Sequence, residues 1–350
     1  MSAEDSFIQS RRLACGLAVI LNRPDAINSL TEGMIDAIEA LLDEALADKL
    51  CRFVLFYSSS ARGFCAGGDV KELARLSAEK KFDRVDAFFR KEYGLNLRLH
   101  LFPKPVIAVA DGITMGGGLG IAAGAGISIA TERTLMAMPE TRIGFFPDVG
   151  STGWMFARCP RGYPEYLGLT GYDLRGADCV RVGFATHLMP SERLPDLIGI
   201  LEGAVGDGKA GRREAEKALL ERISALLDFH VPVNRELDDW VERYFAGVSG
   251  IREMLDSLSL CREQEEHCDR VFSSIAERSP TALALTLKLL RHNEGRPLEE
   301  VFAAELKAAR WMTRHPDYIE GIRARLIERD NKPRWKPDRI EDVDLSEFQP

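Results

Sequence analysis

Short apolar runs bounded by turn residues mark the first 190 residues of the chain. Runs of this kind are typical of buried strands, and they lie at residues 13–21, 53–57, 105–110, 127–130 and 135–138. Between them, apolar residues recur at helical spacing after the S-x-x-E capping pattern of Ser29–Glu32, and again from Val70 and from Gly116. The alternation of strand and helix patterns predicts an α/β core.

The pattern changes beyond about residue 190, where strand signals disappear. Amphipathic helices are predicted at residues 212–229, 235–245, 251–278, 281–291 and 298–313. A Gly-rich stretch at 203–211 is the best candidate linker between the two regions. We therefore expect residues 1–200 to form the α/β core with the active site. Residues 201–350 are expected to form a helical extension that packs on this core.

Charge and hydropathy narrow the class of partner. The formal net charge is −8, which disfavours attraction to nucleic acid or to an anionic membrane surface. The twenty residues from Gly112 to Thr131 carry no charge, but seven of them are Gly. Such a stretch is too flexible and too weakly apolar for a membrane-spanning helix. We expect neither a nucleic-acid partner nor a membrane partner.

The seven cysteines are scattered and include no C-x-x-C pair. This predicts neither a disulfide framework nor a zinc site, and it is typical of a reduced setting. The N-terminal segment carries acids where a secretory signal or a transit peptide requires basic residues. These two observations predict a cytoplasmic protein.

Two Gly-rich loops each lie where a strand pattern gives way to a helix pattern, at Gly63–Asp69 and Asp111–Ile121. Three consecutive glycines at Gly116–Gly118 weaken a helix start by about 1 kcal/mol each relative to Ala. A need for unobstructed backbone N–H groups at the positive end of a helix would explain why the chain carries this loss of stability. Close helix–strand packing and a loose G-x-G-x-x-A dinucleotide loop from Gly118 to Ala123 are the alternatives. Two such loops can each supply one N–H to the oxyanion of a polarised thioester carbonyl.

Two carboxylates, Glu140 and Asp148, lie eight residues apart on a Pro-braced loop. Their apolar neighbours predict raised carboxyl pKa values, which suit general acid–base catalysis. A β-turn role for Asp148 is the simpler alternative. Glu92, within a charged helix pattern, is typical of a solvated surface residue. A nucleophilic Cys65 with His187 as its base is a further alternative, although packing is the ordinary role of such a cysteine.

Three motifs together match a known family: FCAGGDV at 64–70, PVIAVADGITMGGGLG at 105–120 and MPETRIGFFPDVG at 138–150. With them the chain resembles the crotonase (enoyl-CoA hydratase/isomerase) superfamily, and within it the 3-hydroxyisobutyryl-CoA hydrolases, over nearly its whole length. The resemblance implies a crotonase-like spiral of repeated ββα units with a helical C-terminal region. It implies an acyl-CoA substrate, no separate cofactor because CoA arrives with the substrate, no metal, and possible homo-oligomers.

Site roles follow from the same resemblance. It places the oxyanion-hole N–H groups on Gly68 and Gly117 and the catalytic carboxylates on Glu140 and Asp148. Glu92 matches a substrate-contacting position, and Gly117, Glu140 and Asp148 are expected to contact substrate as well. The implied reaction is hydrolysis of a short 3-hydroxyacyl-CoA thioester, with 3-hydroxyisobutyryl-CoA of valine breakdown as the expected substrate.

The chain departs from the hydratases of the superfamily at two positions. Gly120 stands where those enzymes carry a first glutamate, and Asp148 stands where they usually carry Gly. Both exchanges favour thioester hydrolysis over hydration of a double bond. An enoyl-CoA hydratase or isomerase, and a catalytically idle acyl-CoA-binding protein of the same fold, are the alternatives.

Overall fold

The computed structural model describes residues 7–203, 211–261 and 265–350. Within these ranges the strands are β1 (Ile8–Leu13), β2 (Gly16–Leu21), β3 (Phe53–Ser58), β4 (Gly63–Cys65), β5 (Val106–Ala110), β6 (Ile113–Met115), β7 (Ile127–Ala130), β8 (Leu135–Ala137), β9 (Leu174–Arg175) and β10 (His187–Leu188). The helices up to the second described gap are α1 (Glu32–Ala47), α2 (Val70–Ala78), α3 (Phe82–Leu101), α4 (Gly117–Gly124), α5 (Ser151–Arg158), α6 (Tyr163–Thr170), α7 (Ala177–Arg181), α8 (Leu194–Glu202), α9 (Arg212–Ile223), α10 (Arg235–Phe245) and α11 (Ile251–Ser259). The C-terminal helices are α12 (Glu265–Ala276), α13 (Pro280–Asn293), α14 (Leu298–Met312) and α15 (Pro316–Ile322).

A repeat of two strands and a helix organises the first half of the chain. The order β1-β2-α1, β3-β4-α2, β5-β6-α4 and β7-β8-α5 runs through it. From the second repeat on, the first strand of each joins a six-stranded sheet of order β1-β2-β3-β5-β7-β10, and the second joins a four-stranded sheet of order β4-β6-β8-β9. In the large sheet β1 is antiparallel to β2, whereas all other pairs are parallel. The predicted α/β fold with repeated ββα units is confirmed.

The apolar runs of the sequence form the core of the large sheet. Strands β3, β5 and β7 are buried along almost their whole length, as expected for parallel strands covered on both faces. One apolar cluster on this sheet includes Phe53, Ile107 and Ile129 and continues through Leu201 to Ile223. Burial of these apolar side chains stabilises the large sheet.

Several local predictions are wrong at the level of short elements. The strand predicted at 13–21 is β2, which begins only at Gly16, after a turn at residues 14–15. Strand β1, its antiparallel partner, was not predicted. The two Gly-rich loops each contain a short strand, β4 and β6. Strands of three residues are too short for an alternation pattern to reveal. The N-cap of α1 is Thr31, whose side chain accepts from Met34 N, and not Ser29.

The C-terminal helices follow the predicted pattern with two corrections. The helix predicted at 212–229 ends at Ile223, and the helix predicted at 251–278 is two helices, α11 and α12. Residues seven apart in one helix are separated by about 10 Å, whereas the Cα atoms of Cys261 and Cys268 lie 6.5 Å apart. Cys261 and Cys268 therefore do not belong to one continuous helix, in agreement with the end of α11 at Ser259. Of the predicted linker 203–211, residues 204–210 lie outside the described residues.

Cys261 and Cys268 form a disulfide bond, so the expectation of a chain without disulfides is wrong for this pair. The indole Nε1 of Trp240 donates to the Cys268 sulfur at 3.3 Å. Among the described residues there is no group of three or more His, Cys, Asp or Glu side chains that could hold a metal ion. None of the helices in the described ranges is long and apolar enough to cross a membrane.

By its internal contacts the chain forms two compact units, each built from three segments. Unit 1 comprises residues 1–68, 94–136 and 173–233 and contains almost all of both sheets. Unit 2 comprises residues 69–93, 137–172 and 234–350 and is mainly helical. The boundary near residue 200, and the packing of residues 201–350 on the core, stay predictions.

Candidate active site

Unit 1 brings the two Gly-rich loops together. Strands β4 and β6 are parallel partners, with Gly63 opposite Ile113 and Cys65 opposite Thr114. The carboxyl ends of parallel neighbours meet at the same edge of a sheet. The residues of the two Gly-rich loops that follow β4 and β6 therefore lie side by side. A Cβ atom added to Gly67 would lie 3.5 Å from the backbone N of Gly117. The predicted pairing of these loops is therefore present in the fold.

Close approach explains one glycine, and an exposed N–H explains another. A Cβ on Gly118 would lie 2.3 Å from the carbonyl oxygen of Cys65, so only Gly fits there. Gly117 is the first residue of α4, and its N–H has no partner within the helix. Among the hydrogen bonds of the described residues, none uses the N–H of Gly68 or Gly117 as donor. Unit 1 thus presents two backbone donors from adjacent loops.

Asn28 supports the first of these loops, a role that the sequence analysis missed. Its amide donates to the carbonyl oxygens of Phe64 at 2.8 Å and of Gly63 at 3.4 Å, and to Ser58 Oγ at 2.8 Å. Asn28 is fully buried and has a left-handed backbone, with φ 54°, a conformation that Asn tolerates. No local sequence pattern singled out Asn28. The amide thus anchors β4 within the first Gly-rich loop.

Cys65 packs in the same loop. Its side chain is fully buried, and its sulfur donates to the carbonyl oxygen of Asn28 at 3.1 Å. This contact ties the loop to the turn that Asn28 occupies. The arrangement favours packing over a nucleophilic role for Cys65.

Glu140 lies in unit 2, on a short 3-10 helix, Glu140–Ile143, directly after Pro139. This helix is tightly enclosed: a Cβ on Gly144 would lie 2.1 Å from the carbonyl oxygen of Asp317, and one on Gly321 would lie 2.3 Å from the carbonyl carbon of Ile143. Helix α15 therefore packs closely against the backbone of this segment. The Glu140 side chain is buried, and no hydrogen-bond partner reaches its Oε2 atom among the described residues.

Asp148 is held by a tyrosine that the sequence analysis did not select. The hydroxyl of Tyr93 on α3 donates to Asp148 Oδ2 at 2.8 Å. Glu92, the residue before it, is only 2% exposed, so the expectation of a solvated surface glutamate is wrong. Phe145 stacks on Phe89 at 5.3 Å between ring centroids. Aromatic side chains thus exclude water from this part of unit 2.

Burial shifts the proton affinities of these carboxyls in one direction. It raises the pKa of Asp148 to about 7, although the Tyr93 hydrogen bond opposes the shift. Burial also raises the pKa of Glu92 and of Glu140 well above the ordinary value, and the neighbouring Asp148 charge adds to both increases. Like charges in a dry site cannot all be ionised together. Asp148 can therefore accept and return a proton near neutral pH.

A further buried carboxylate of unit 2, Glu305 on α14, was not selected by the sequence analysis. It is fully buried, and it accepts from the backbone N–H groups of Gly150 at 2.6 Å and of Thr152 at 3.2 Å. No local pattern marks it, because its partners lie in a distant segment. The sequence analysis could have found Tyr93 by its position next to Glu92.

A family model described as enoyl-CoA hydratase/isomerase matches residues 17–350. The chain belongs to the enoyl-CoA hydratase/isomerase family. A 3-hydroxyisobutyryl-CoA hydrolase of Xenopus laevis is 34% identical over 333 residues, which are 95% of this chain and 85% of that protein. The human enzyme of the same name is 32% identical and covers 98% and 86%. Both are named as mitochondrial enzymes.

Two solved structures align with almost the whole chain. An enoyl-CoA hydratase from Rhodobacter sphaeroides has a TM-score of 0.86 at 32% identity and covers 98% of this chain and 96% of its own. A carnitinyl-CoA dehydratase from Mycobacterium thermoresistibile has a TM-score of 0.87 at 30% identity, with the same coverage. The predicted crotonase-like fold is confirmed by these alignments.

The predicted cytoplasmic location is wrong by comparison with the hydrolase relatives, whose names place them in mitochondria. The prediction rested on the scattered cysteines and on the acids of the N-terminal segment. A targeting segment is distinct from the folded domain, so the residues of the domain do not determine where the protein is located.

Proposed function

We propose that the chain hydrolyses short 3-hydroxyacyl-CoA thioesters, with 3-hydroxyisobutyryl-CoA of valine breakdown as the preferred substrate. The observation that carries this proposal is the buried pair Glu140 and Asp148, with Asp148 held by the Tyr93 hydroxyl. Relatives named 3-hydroxyisobutyryl-CoA hydrolases match 95–98% of the chain, which supports the same substrate. CoA enters as part of the substrate, so the reaction needs no separate cofactor.

The two backbone donors of unit 1 have the role of the oxyanion hole in this proposal. The N–H groups of Gly68 and Gly117 bind the thioester oxygen, and they bind it more tightly as it becomes an oxyanion. Removing one such donor costs about 3–4 kcal/mol in comparable sites. Because both donors belong to the backbone, their positions are set by the pairing of β4 and β6 and need no side chain.

Glu140 has the role of the reacting carboxylate. It either takes a proton from the attacking water or attacks the carbonyl carbon to form a mixed anhydride that water then opens. In both routes one water is consumed, the C–S bond breaks, and the thiolate leaves with a proton. A raised carboxyl pKa makes Glu140 a stronger base and lets it return that proton.

Asp148 and Glu92 have roles in substrate binding. We assign Asp148 to the substrate 3-hydroxyl, which donates to the carboxylate oxygen that Tyr93 leaves available. Glu92 lies beside Tyr93 on α3, and no partner reaches its Oε1 atom among the described residues. A buried polar atom without a partner is costly, and a substrate hydroxyl or a water satisfies it.

Hydration of an enoyl-CoA is the second candidate, because the solved relatives are titled enoyl-CoA hydratase and carnitinyl-CoA dehydratase. Adding water across a double bond requires coordinated delivery of hydroxide and a proton. Gly120 follows Gly117 by three residues on α4, and such neighbours share one face of a helix. Gly has no carboxyl to supply there. The residues of this chain therefore favour hydrolysis.

The experiment that tests the proposal follows two reactions on one sample. We expect 3-hydroxyisobutyryl-CoA to release free thiol. Crotonyl-CoA should lose its enoyl-thioester absorbance at a rate at least ~10²-fold lower than this thiol release. Rapid loss of that absorbance without thiol release would move the chain to the hydratases. Binding of both thioesters without either reaction would identify an idle acyl-CoA-binding protein.

Selectivity for the 3-hydroxyl group is a separate prediction. We expect kcat/KM for 3-hydroxyisobutyryl-CoA to exceed that for isobutyryl-CoA by roughly 10-fold or more, because the analogue leaves a buried carboxylate unpaired at about 1–3 kcal/mol. Asp148→Ala should reduce this ratio towards one. Partial misfolding lowers both activities equally, so the ratio serves as its own control. Equal values in the wild-type protein would contradict the role of Asp148.

The remaining partner predictions concern association. A homo-oligomer and the absence of nucleic-acid and membrane partners stay predictions. Sedimentation of the purified chain tests the first of them, and the net charge of −8 is the support for the other two.

A further inference from the structure

The backbone directly after Asp148 adopts an unfavourable conformation at Val149. Val149 has φ 53° and Gly150 has φ 79°. A β-branched residue in this left-handed region costs of order 1–3 kcal/mol and persists only where the surroundings enforce it. Side-chain volume is also restricted, because a Cβ on Gly150 would lie 2.7 Å from the ring of Phe302. Something outside this loop must hold it.

Glu305 supplies that support from α14. Its Oε2 atom accepts from Gly150 N at 2.6 Å, and its Oε1 atom accepts from Thr152 N at 3.2 Å and from Thr152 Oγ1 at 2.6 Å. The Thr152 hydroxyl in turn accepts from Asn293 Nδ2 at 2.8 Å. Both oxygens of one fully buried carboxylate therefore bind the segment that directly follows Asp148.

The contact replaces an ordinary helix cap. Helix α5 begins at Ser151, and its N-cap, Gly150, has no side chain to accept the first N–H groups. A carboxylate at a helix N-terminus is also favoured by the helix dipole. Because the cap comes from another helix, it fixes where α5 begins. The start of α5 is connected in turn to Asp148, because the carbonyl oxygen of Asp148 accepts from Ser151 N at 2.9 Å.

We infer that Glu305 is a positioning residue that holds the Asp148–Gly150 backbone in the conformation needed for recognition of the substrate 3-hydroxyl. The inference rests on the proposed hydrolase function. It adds a residue to the site that touches no reacting atom and acts through the loop that follows Asp148. Selectivity for the hydroxyl then depends on a carboxylate of α14.

Glu305→Gln tests this role with almost no change of volume. The amide puts an N–H₂ donor where Gly150 or Thr152 already donates, so the loop loses part of its support. We expect the ratio of kcat/KM for 3-hydroxyisobutyryl-CoA over isobutyryl-CoA to fall at least ~5-fold, since small displacements of a binding group have large effects. Glu165→Gln is the matched control, because Glu165 is also buried and accepts a backbone N–H, from Gly247 at 3.1 Å. It should keep the ratio.

A second variant covers failure of the first to fold. Thr152→Val keeps the shape of the side chain and removes the hydroxyl that donates to Glu305. We expect a smaller fall of the same ratio, about 2–4-fold. In an Asp148→Ala background, Glu305→Gln should leave the ratio unchanged within about 2-fold, because both changes act on one interaction.

The outcomes separate three cases. A lower ratio in Glu305→Gln and Thr152→Val, with the ratio of Glu165→Gln unchanged, supports the inference. Loss of thermal stability together with equal loss of both activities would overturn it and leave Glu305 a structural residue. Absence of thiol release in the wild-type protein would overturn the proposed function itself. This result needs no variant, so it is distinct from a failure of the inference about Glu305.

Discussion

Glu140→Gln is expected to lower kcat for thioester hydrolysis by at least ~10²-fold, as loss of a general base or nucleophile does. The change removes the charge and the basicity of the side chain and keeps its volume. Since Glu140 lies within a tightly enclosed 3-10 helix, the surrounding backbone should stay in place. Steady-state kinetics with free-thiol detection measure kcat, and calorimetric titration with a non-hydrolysable thioester analogue measures binding.

Binding of that analogue should remain within about 3-fold of the wild-type value, because the change affects the reacting step. Glu165→Gln is again the matched control, as a buried glutamate of unit 2 with no assigned role in the reaction. It should keep kcat. Near wild-type turnover of Glu140→Gln would mean that Glu140 is structural and that the proposed mechanism is wrong.

Gly118→Ala is expected to lower kcat by ~10²–10³-fold through loss of the oxyanion hole. The added Cβ would lie 2.3 Å from the carbonyl oxygen of Cys65 and 2.9 Å from its carbonyl carbon, and backbone atoms cannot rotate away. Helix α4 must therefore move from the β4 loop and carry the Gly117 N–H with it. Steady-state kinetics and a melting curve measure both consequences.

Gly199→Ala on α8 is the control for this prediction, because nothing lies within 4 Å of its added Cβ. Ala is favoured over Gly inside a helix by roughly 0.5–1 kcal/mol, so this variant should be slightly more stable and fully active. Wild-type kcat in Gly118→Ala would show that the spacing of the two loops does not matter for catalysis.

Local chemistry made several features predictable. Parallel core strands read as apolar runs because both of their faces are buried, so β3, β5 and β7 follow from the pattern. A role for the consecutive glycines Gly116–Gly118 was predictable, because glycines weaken a helix start and this cost indicates a purpose. Glu140 and Asp148 stood out because each follows Pro in one short loop. Their assignment to a reaction came from resemblance to a family, and their roles stay proposals.

Other features were beyond local patterns. The three-residue strands β4 and β6 are stabilised by pairing with each other, so their own residues carry little signal. Glu92 belongs to a charged helix segment, and its burial depends on what covers that face of α3. The strand predicted at 13–21 covers β2, whereas β1 was missed because its residues Gln9–Arg12 are polar and exposed.

The sequence by itself determined the α/β class, the core strands, the Gly-rich loops and the two carboxylates, because each depends on neighbours within a few residues. The tertiary structure alone decided which charged groups are buried and what holds them. Tyr93 reaches Asp148, and Glu305 reaches Gly150, from segments far away along the chain. A carboxyl pKa depends on the water and the charges around it in space, and folding, not sequence spacing, brings these together.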